Sequence, residues 1–253
     1  RLRQAEQMRH IKLVISYDGT DYVVWQVQPN GISIQQCLET AWASVSGEQL
    51  RITASGRTDS GVHALGQVCS FATKSQLPTQ QIVRAINAET PFDISVLTAE
   101  EAPMGFHAIR DAKQKTYRYH IQYGRIMDPL RLRTCWFIPG EMDLGSMQEA
   151  ANSITGEHDF ASFESAGAQR STSIRNIIDL QVAPEIVHHF PGIEIAITAN
   201  GFLYNMVRNI VGTLVRVGKN KEKTEWVAWV RDQKKRCCAG PVSYTHLRAH
   251  ETF

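Results

Sequence analysis

Residues 54–67 bring several reactive side-chain types close together and read ASGRTDSGVHALGQ. The glycines let the backbone turn sharply, and they leave the Asp59 carboxylate two residues from the Arg57 guanidinium. A positive neighbour favours the ionised carboxylate, which can act as a nucleophile or a base. The alternative is an ordinary turn in which Asp59 caps a backbone amide. The Gly-Arg-Thr-Asp sequence alone favours that turn, so the assignment depends on the rest of the chain.

Two further reactive side chains lie in regular patterns. Tyr117 begins a run in which four apolar or aromatic residues alternate with polar ones, as in a strand. On this pattern alone Tyr117 is a core residue. Arg208 lies at the border of an apolar stripe on a predicted helix, where it either reaches a cleft or extends along the surface to water.

Strands and helices alternate along the chain and must position these groups. Alternation with a period of two predicts strands, and apolar residues at spacings of three and four predict helices. The predicted strands are 11–17, 67–72, 93–99, 117–123, 174–182 and 193–199. The predicted helices are 34–45, capped by Ser33 with Gln36, 79–87, 144–154, capped by Asp143, and 202–217.

Composition is typical of a folded globular protein. Apolar residues make up 43% of the 253 residues and charged residues 21%, which excludes an intrinsically disordered chain. No apolar run is long enough to span a bilayer, and the N-terminus lacks a signal peptide, so we expect a cytoplasmic protein without membrane contact. The five cysteines lack C-x-x-C spacing, which predicts neither a disulfide framework nor a zinc site.

The pattern predicts an α+β fold with two similar α/β halves, each with an antiparallel mixed sheet flanked by helices. The N-terminal domain is predicted to span 8–103 and to carry the Asp59 loop, and the C-terminal domain to span 104–241. We expect 1–7 and 242–253 to be non-native or disordered. The terminal segment 242–253 lacks strand alternation and looks like translated adapter sequence, the alternative being a divergent tail.

Four ordered motifs resemble the TruA-type pseudouridine synthases, which act on the anticodon arm of tRNA. Residues 54–67 match the family pattern A-G-R-T-D-[AS]-G-V-H-A-x-G-Q, with Ser55 as one extra residue. The others are SYDGT at 16–20 with WQ at 25–26, KTYRY at 115–119 and GFLYNMVRNIVG at 201–212. They are spread along most of the length of the chain. Val24 and Val27 depart from the family, which commonly has glycine and arginine there.

The resemblance implies a role for each matching residue. Asp59 would carry the chemistry, Tyr117 would stack on the target base and help to remove a proton, and Arg208 would pair with the aspartate. A base taken out of its stack needs an aromatic face in exchange. The implied substrate-binding residues are Arg57, His63, Gln67, Tyr117 and Leu203. For His63 the alternative is a histidine that only stabilises the turn.

The resemblance also implies the reaction and the partners. Uridine at positions 38, 39 and 40 of the tRNA anticodon stem-loop would be isomerised to pseudouridine in a cleft between the two halves. A carboxylate can add to the sugar or the base, and the choice between C1′, C6 and a glycal route stays open. No metal and no organic cofactor are implied, and a homodimer would hold tRNA across both subunits.

Two other functions are compatible with parts of the sequence. One is a tRNA-binding or chaperone protein of the same fold that has lost catalysis, against which the joint presence of Asp59, Tyr117 and Arg208 argues. The other is an unrelated glycosidase with an aspartate nucleophile, but such enzymes usually need a second carboxylate, and the loop offers none nearby. Basic clusters are candidate phosphate contacts. They lie at 110–118, 125–133 and 219–223.

Overall fold

The computed structural model describes residues 8–165, 172–235, 239 and 247–252, the last six by their backbone alone. The chain forms two compact units: the first runs to Lys113 and also includes the end of the chain from Ala249, and the second is Gln114–Arg248, so the main division falls about ten residues beyond the predicted seam. Each unit contains its own set of strands and helices. The predicted α+β class is therefore confirmed. Within the described residues no helix is long and apolar enough to cross a membrane.

The first unit is built on a sheet with β1 at its centre. Its elements are β1 (Arg9–Tyr17), α1 (Ile34–Ser46), β2 (Thr53–Ala54), β3 (His63–Thr73), α2 (Thr79–Glu89) and β4 (Ile94–Ala102). β1 pairs antiparallel with β3 on one side and β4 on the other, and β2 pairs with β3. The predicted alternation in β1 is confirmed, since Ile11, Leu13 and Ile15 are fully buried.

Local signals place the helices of this unit as predicted. The Ser33 side chain accepts a hydrogen bond from the Gln36 backbone N–H, which caps α1. Gly47 ends α1 in the left-handed conformation at φ 74°. The buried face of α1, with Leu38 and Trp42, packs into the same core as β1.

The described residues of the second unit form three α-helices and two short 3-10 helices, Pro129–Arg131 and Ala161–Phe163. Its elements are β5 (Gln114–Gly124), β6 (Trp136–Pro139), α3 (Leu144–Asn152), β7 (Gly156–Asp159), β8 (Ile174–Val187), β9 (Phe190–Ala199), α4 (Met206–Gly218) and α5 (Glu225–Gln233). The strand order is β5-β9-β8-β7, all antiparallel, and β6 runs parallel to β5. The predicted cap of α3 is confirmed, because Asp143 accepts from the Ser146 N–H at 3.0 Å.

Some boundaries differ from the sequence-based expectation. The helix predicted from Phe202 begins only at Met206, because Asn205 takes the left-handed conformation at φ 58° and leaves 201–205 as a loop. The strands β6 and β7 and the helix α5 were not predicted, since each is short and has little periodicity.

The end of the chain contains a further strand. β10 spans Leu247–Thr252, within the segment where the sequence analysis expects no strand. The rest of that segment, together with 1–7 and the pair Cys237 and Cys238, lies outside the described residues.

Candidate active site

A tight turn after β1 packs against the loop that joins β2 to β3. In this turn the Asp18 carboxylate accepts hydrogen bonds from the Thr20 backbone N–H at 2.9 Å and the Thr20 hydroxyl at 2.5 Å. A Cβ atom on Gly19 would lie 1.9 Å from the Val62 carbonyl oxygen. Only glycine therefore lets the two segments approach each other this closely.

Residues 55–62, which we call the aspartate loop, carry the predicted catalytic residue. The Trp25 backbone N–H donates to the Thr58 carbonyl at 3.1 Å, and the Val62 N–H donates to the Asp59 carbonyl at 3.2 Å. These two bonds hold the backbone on both sides of the Asp59 side chain.

Exposed and buried side chains alternate in the aspartate loop. Arg57 and Asp59 are exposed, whereas Thr58 between them is buried. The two charged groups are thus presented to solvent, while the buried residue between them anchors the loop in the protein.

The other two predicted substrate-binding residues of the first unit are buried at the start of β3. The His63 Nδ1 lies 3.0 Å from Oδ1 of Asp18, which orients the ring toward the turn after β1. Gln67 is fully buried, donates from Nε2 to the Gly56 carbonyl and accepts at Oε1 from the Tyr17 hydroxyl at 2.5 Å. Both side chains contact the protein interior.

In the second unit, Tyr117 lies in β5 opposite Ile197 of β9. Its half-buried ring meets the Phe202 ring edge to face, with centroids 5.0 Å apart and an interplanar angle of 84°. This geometry is favourable for aromatic pairs and fixes the plane of the tyrosine ring. Phe202 lies in the loop just before α4, the helix that contains Arg208.

Leu203 and Arg208 are both buried, one in the loop before α4 and the other in the first turns of that helix. Arg208 is only 4% exposed, so it does not extend along the surface to water as one reading of the sequence allowed. Burial raises the pKa of the neighbouring Tyr119 phenol, and the positive charge of Arg208 acts against that rise. Arg208 therefore acts electrostatically on Tyr119 of β5.

The structure gathers the predicted residues into two groups. Arg57, Asp59, His63 and Gln67 belong to the first unit, and Tyr117, Leu203 and Arg208 to the second. Sequence reasoning did not single out Tyr17, Thr58 or Phe202 as site residues. All three lie within the matched motifs, but their contacts depend on packing that spacing does not reveal.

No group of three or more His, Cys, Asp or Glu side chains in the described ranges could hold a metal ion. Among the predicted residues, the first unit offers one exposed carboxylate, that of Asp59, and an ionised carboxylate can act as a nucleophile.

Most of the chain matches the model of one protein family. A family model described as tRNA pseudouridine synthase matches residues 13–110 and 150–250. The chain belongs to the tRNA pseudouridine synthase family. This membership confirms the resemblance found in the motifs and the expectation of an isomerase that processes tRNA.

Bacterial relatives are similar over nearly their full length. The tRNA pseudouridine synthase A of Pelobacter propionicus is 44% identical over 233 residues, which are 92% of this chain and 94% of the relative. That of Geobacter sulfurreducens is 45% identical over 221 residues, covering 87% of this chain and 89% of the relative.

A solved H/ACA ribonucleoprotein bound to a substrate RNA containing 2′-deoxyuridine is a remote structural match. The sequence identity is 10% and the TM-score 0.35, over 94% of this chain and 56% of that chain. A likeness at this level carries no argument about function.

Proposed function

We propose that this chain isomerises uridine to pseudouridine at positions 38, 39 and 40 of the tRNA anticodon stem-loop, with Asp59 as the nucleophile. The observation that carries the proposal is the exposed Asp59 carboxylate on a loop that matches the family motif and whose Thr58 carbonyl accepts a hydrogen bond from the Trp25 N–H. The family supplies the reaction, and the loop supplies a group that can perform it.

The reaction is an isomerisation that balances within the nucleotide. The N1–C1′ bond breaks, the uracil turns, and a C5–C1′ bond forms; C5 loses its proton and N1 gains one. The Asp59 carboxylate adds to the sugar or the base, or assists the departure of uracil, and it is regenerated at the end. The Tyr117 ring, fixed by Phe202, would replace the stacking that the turned base has lost.

The remaining assignments follow from family membership and complete the proposal. Arg208 would pair with the Asp59 carboxylate, and Arg57, His63, Gln67 and Leu203 would bind the substrate. Two copies of the chain would form a homodimer in the cytoplasm and hold one tRNA across both subunits. Light scattering of the purified protein with and without tRNA tests the dimer.

The target positions are tested with unmodified tRNA transcripts. Pseudouridine is mapped by chemical labelling after incubation with the protein, using transcripts with uridine at all three positions or at one of positions 38, 39 and 40. We expect product at these positions and at no other. Product elsewhere would overturn the positional assignment, and tRNA binding without product would instead favour a non-catalytic protein.

A further inference from the structure

A buried hydrogen-bond chain connects β1, the aspartate loop and β3 within the first unit. The Tyr17 hydroxyl lies 2.7 Å from the Thr58 hydroxyl and donates to Gln67 Oε1 at 2.5 Å. Gln67 Nε2 in turn donates to the carbonyl of Gly56. Tyr17, Thr58 and Gln67 are at most 6% exposed, so water does not compete for these bonds.

The direction of each hydrogen bond in this chain is determined. A phenol has a single proton, and that of Tyr17 is used on Gln67. Thr58 must therefore donate its hydroxyl proton to the Tyr17 oxygen. Turning the Gln67 amide over would set its oxygen against the Gly56 carbonyl, two acceptors with no proton between them.

The two ends of this hydrogen-bond chain hold the two residues that flank Arg57, and the second of them, Thr58, directly precedes Asp59. One end holds the backbone of Gly56 and the other the side chain of Thr58. We infer that Tyr17, Thr58 and Gln67 are positioning residues that fix the Asp59 carboxylate in its reactive direction. This inference rests on the proposed role of Asp59, and it gives Gln67 a task other than the substrate contact that the resemblance implies.

A matched pair of variants at Thr58 tests the inference. Thr58→Val keeps the shape and removes the donor, whereas Thr58→Ser keeps the donor. We expect Thr58→Val to slow single-turnover pseudouridine formation by about 10- to 100-fold, because small displacements of a reacting group cost rate of this order. Its tRNA affinity should stay within about twofold of the parent, since position 58 is buried, and Thr58→Ser should restore the rate.

Gln67→Glu tests the donor role of Gln67 through the pH dependence of the rate, which a purely structural role would not change. A buried carboxyl without a positive partner has a raised pKa. When protonated it can donate to the Gly56 carbonyl as the amide does, and when ionised it repels that carbonyl. The rate of the variant relative to the parent should therefore fall as pH rises, and a ratio that is flat with pH would count against the donor role.

Hydrogen exchange separates failure of this inference from failure of the proposed function. Backbone amides of the aspartate loop should exchange faster in Thr58→Val than in Thr58→Ser, whether or not the parent makes pseudouridine. If the parent protein made no pseudouridine, the proposed function would be wrong, and the difference in hydrogen exchange would still test the positioning role of Thr58. Parental rates and parental exchange in Thr58→Val, with melting temperature unchanged, would overturn the inference.

Discussion

Exposed and buried side chains alternate within the aspartate loop. Asp59 and Arg57 are exposed, and the buried Thr58 between them shares a hydrogen bond with Tyr17. A substitution at an exposed position should therefore change chemistry or RNA contact, whereas a substitution at Thr58 should change the direction in which Asp59 points. These effects are separable because tRNA affinity and the rate of the chemical step are measured independently.

Tyr117→Phe tests whether the tyrosine hydroxyl takes part in chemistry. The phenyl ring keeps the edge-to-face contact with Phe202 and can still stack on a base. The C5 proton must leave during the reaction, and loss of a group that handles a proton costs about 10²- to 10⁴-fold in rate. We expect a loss in this range in kcat with tRNA affinity unchanged.

The matched control is Tyr123→Phe, which removes a hydroxyl from a half-buried tyrosine in the same strand but outside the KTYRY motif. It should keep parental kcat. Near-parental turnover of Tyr117→Phe would instead leave base stacking as the only role of that ring.

Among the elements, the close approach of the turn after β1 to the aspartate loop depends on Gly19. A Cβ there would meet backbone atoms of Val62, which cannot turn aside as a flexible side chain can. We expect Gly19→Ala to lower the free energy of unfolding by about 1–3 kcal/mol, the usual cost of overpacking, and to lower kcat because the loop moves. Denaturant unfolding and a single-turnover assay measure the two effects.

Gly145→Ala is the control for adding a methyl group. Gly145 lies in α3, where the nearest atom to a new Cβ is an Asp143 oxygen at an ordinary 3.4 Å. Alanine is the better helix residue by up to about 1 kcal/mol, so this variant should be as stable as the parent or more so. Equal stability of the two variants would contradict the packing argument at Gly19.

A buried carboxylate ties the segment after β5 to the turn between β8 and β9. The Asp128 Oδ2 lies 2.9 Å from His188 Nδ1, and Oδ1 accepts from the Leu130 N–H at 2.9 Å. The hydrogen bond from His188 is the main cause that holds the pKa of the Asp128 carboxyl below its ordinary value of 3.8, and the Leu130 bond adds to it.

This depression predicts how acid destabilises the protein. A carboxyl whose pKa is lower in the folded state than in the unfolded state stabilises the folded state at pH values above the unfolded-state pKa. This contribution is lost as the pH falls through the folded-state pKa. Asp128→Asn should therefore reduce stability at pH 7 and shrink the loss of stability below pH 4. Thermal unfolding between pH 3 and pH 7 measures both.

Asp232→Asn provides the comparison, because Asp232 is 62% exposed and pairs with the neighbouring Arg231. Exposed ion pairs contribute little to stability. If Asp128→Asn changed the stability at pH 7 no more than this control does, the buried hydrogen bonds of Asp128 would not stabilise the fold.

For the whole molecule, the sequence predicted what local periodicity and matched motifs determine. Buried alternation in β1 and the capped start of α1 are local properties, so they were predictable. The burial of His63, Gln67 and Arg208 was not, because it depends on which segments pack together. The aspartate loop illustrates both cases. Its motif predicts a role for Asp59, but only the packed structure shows that the Thr58 hydroxyl bonds to the Tyr17 hydroxyl.

The basic side chains of the clusters should make tRNA binding depend on salt concentration. Arg131 is buried against Glu185, and Arg118 pairs with Glu194, so these two are engaged within the protein, whereas Lys113 is exposed. In a plot of log affinity against log salt concentration, replacing Lys113 and Lys115 with alanine should make the slope less steep by about 1 to 2. The reason is that each phosphate contact adds about 0.9 to the steepness of the slope.

The control for charge is Lys74→Ala, an exposed lysine outside the basic clusters. It should leave the slope at its parental value. A tRNA affinity that does not change between low and moderate salt would contradict an electrostatic binding surface altogether.

Asp59→Asn tests the central claim most directly. The amide keeps the shape of the side chain and cannot act as a nucleophile, so pseudouridine formation should be abolished while tRNA affinity stays close to that of the parent. Asp21→Asn, at an exposed aspartate of the same unit outside the aspartate loop, should keep full activity. A single-turnover rate for Asp59→Asn above about a tenth of the parental rate, a loss of less than about 1.4 kcal/mol in transition-state stabilisation, would contradict the assignment of Asp59 as the nucleophile.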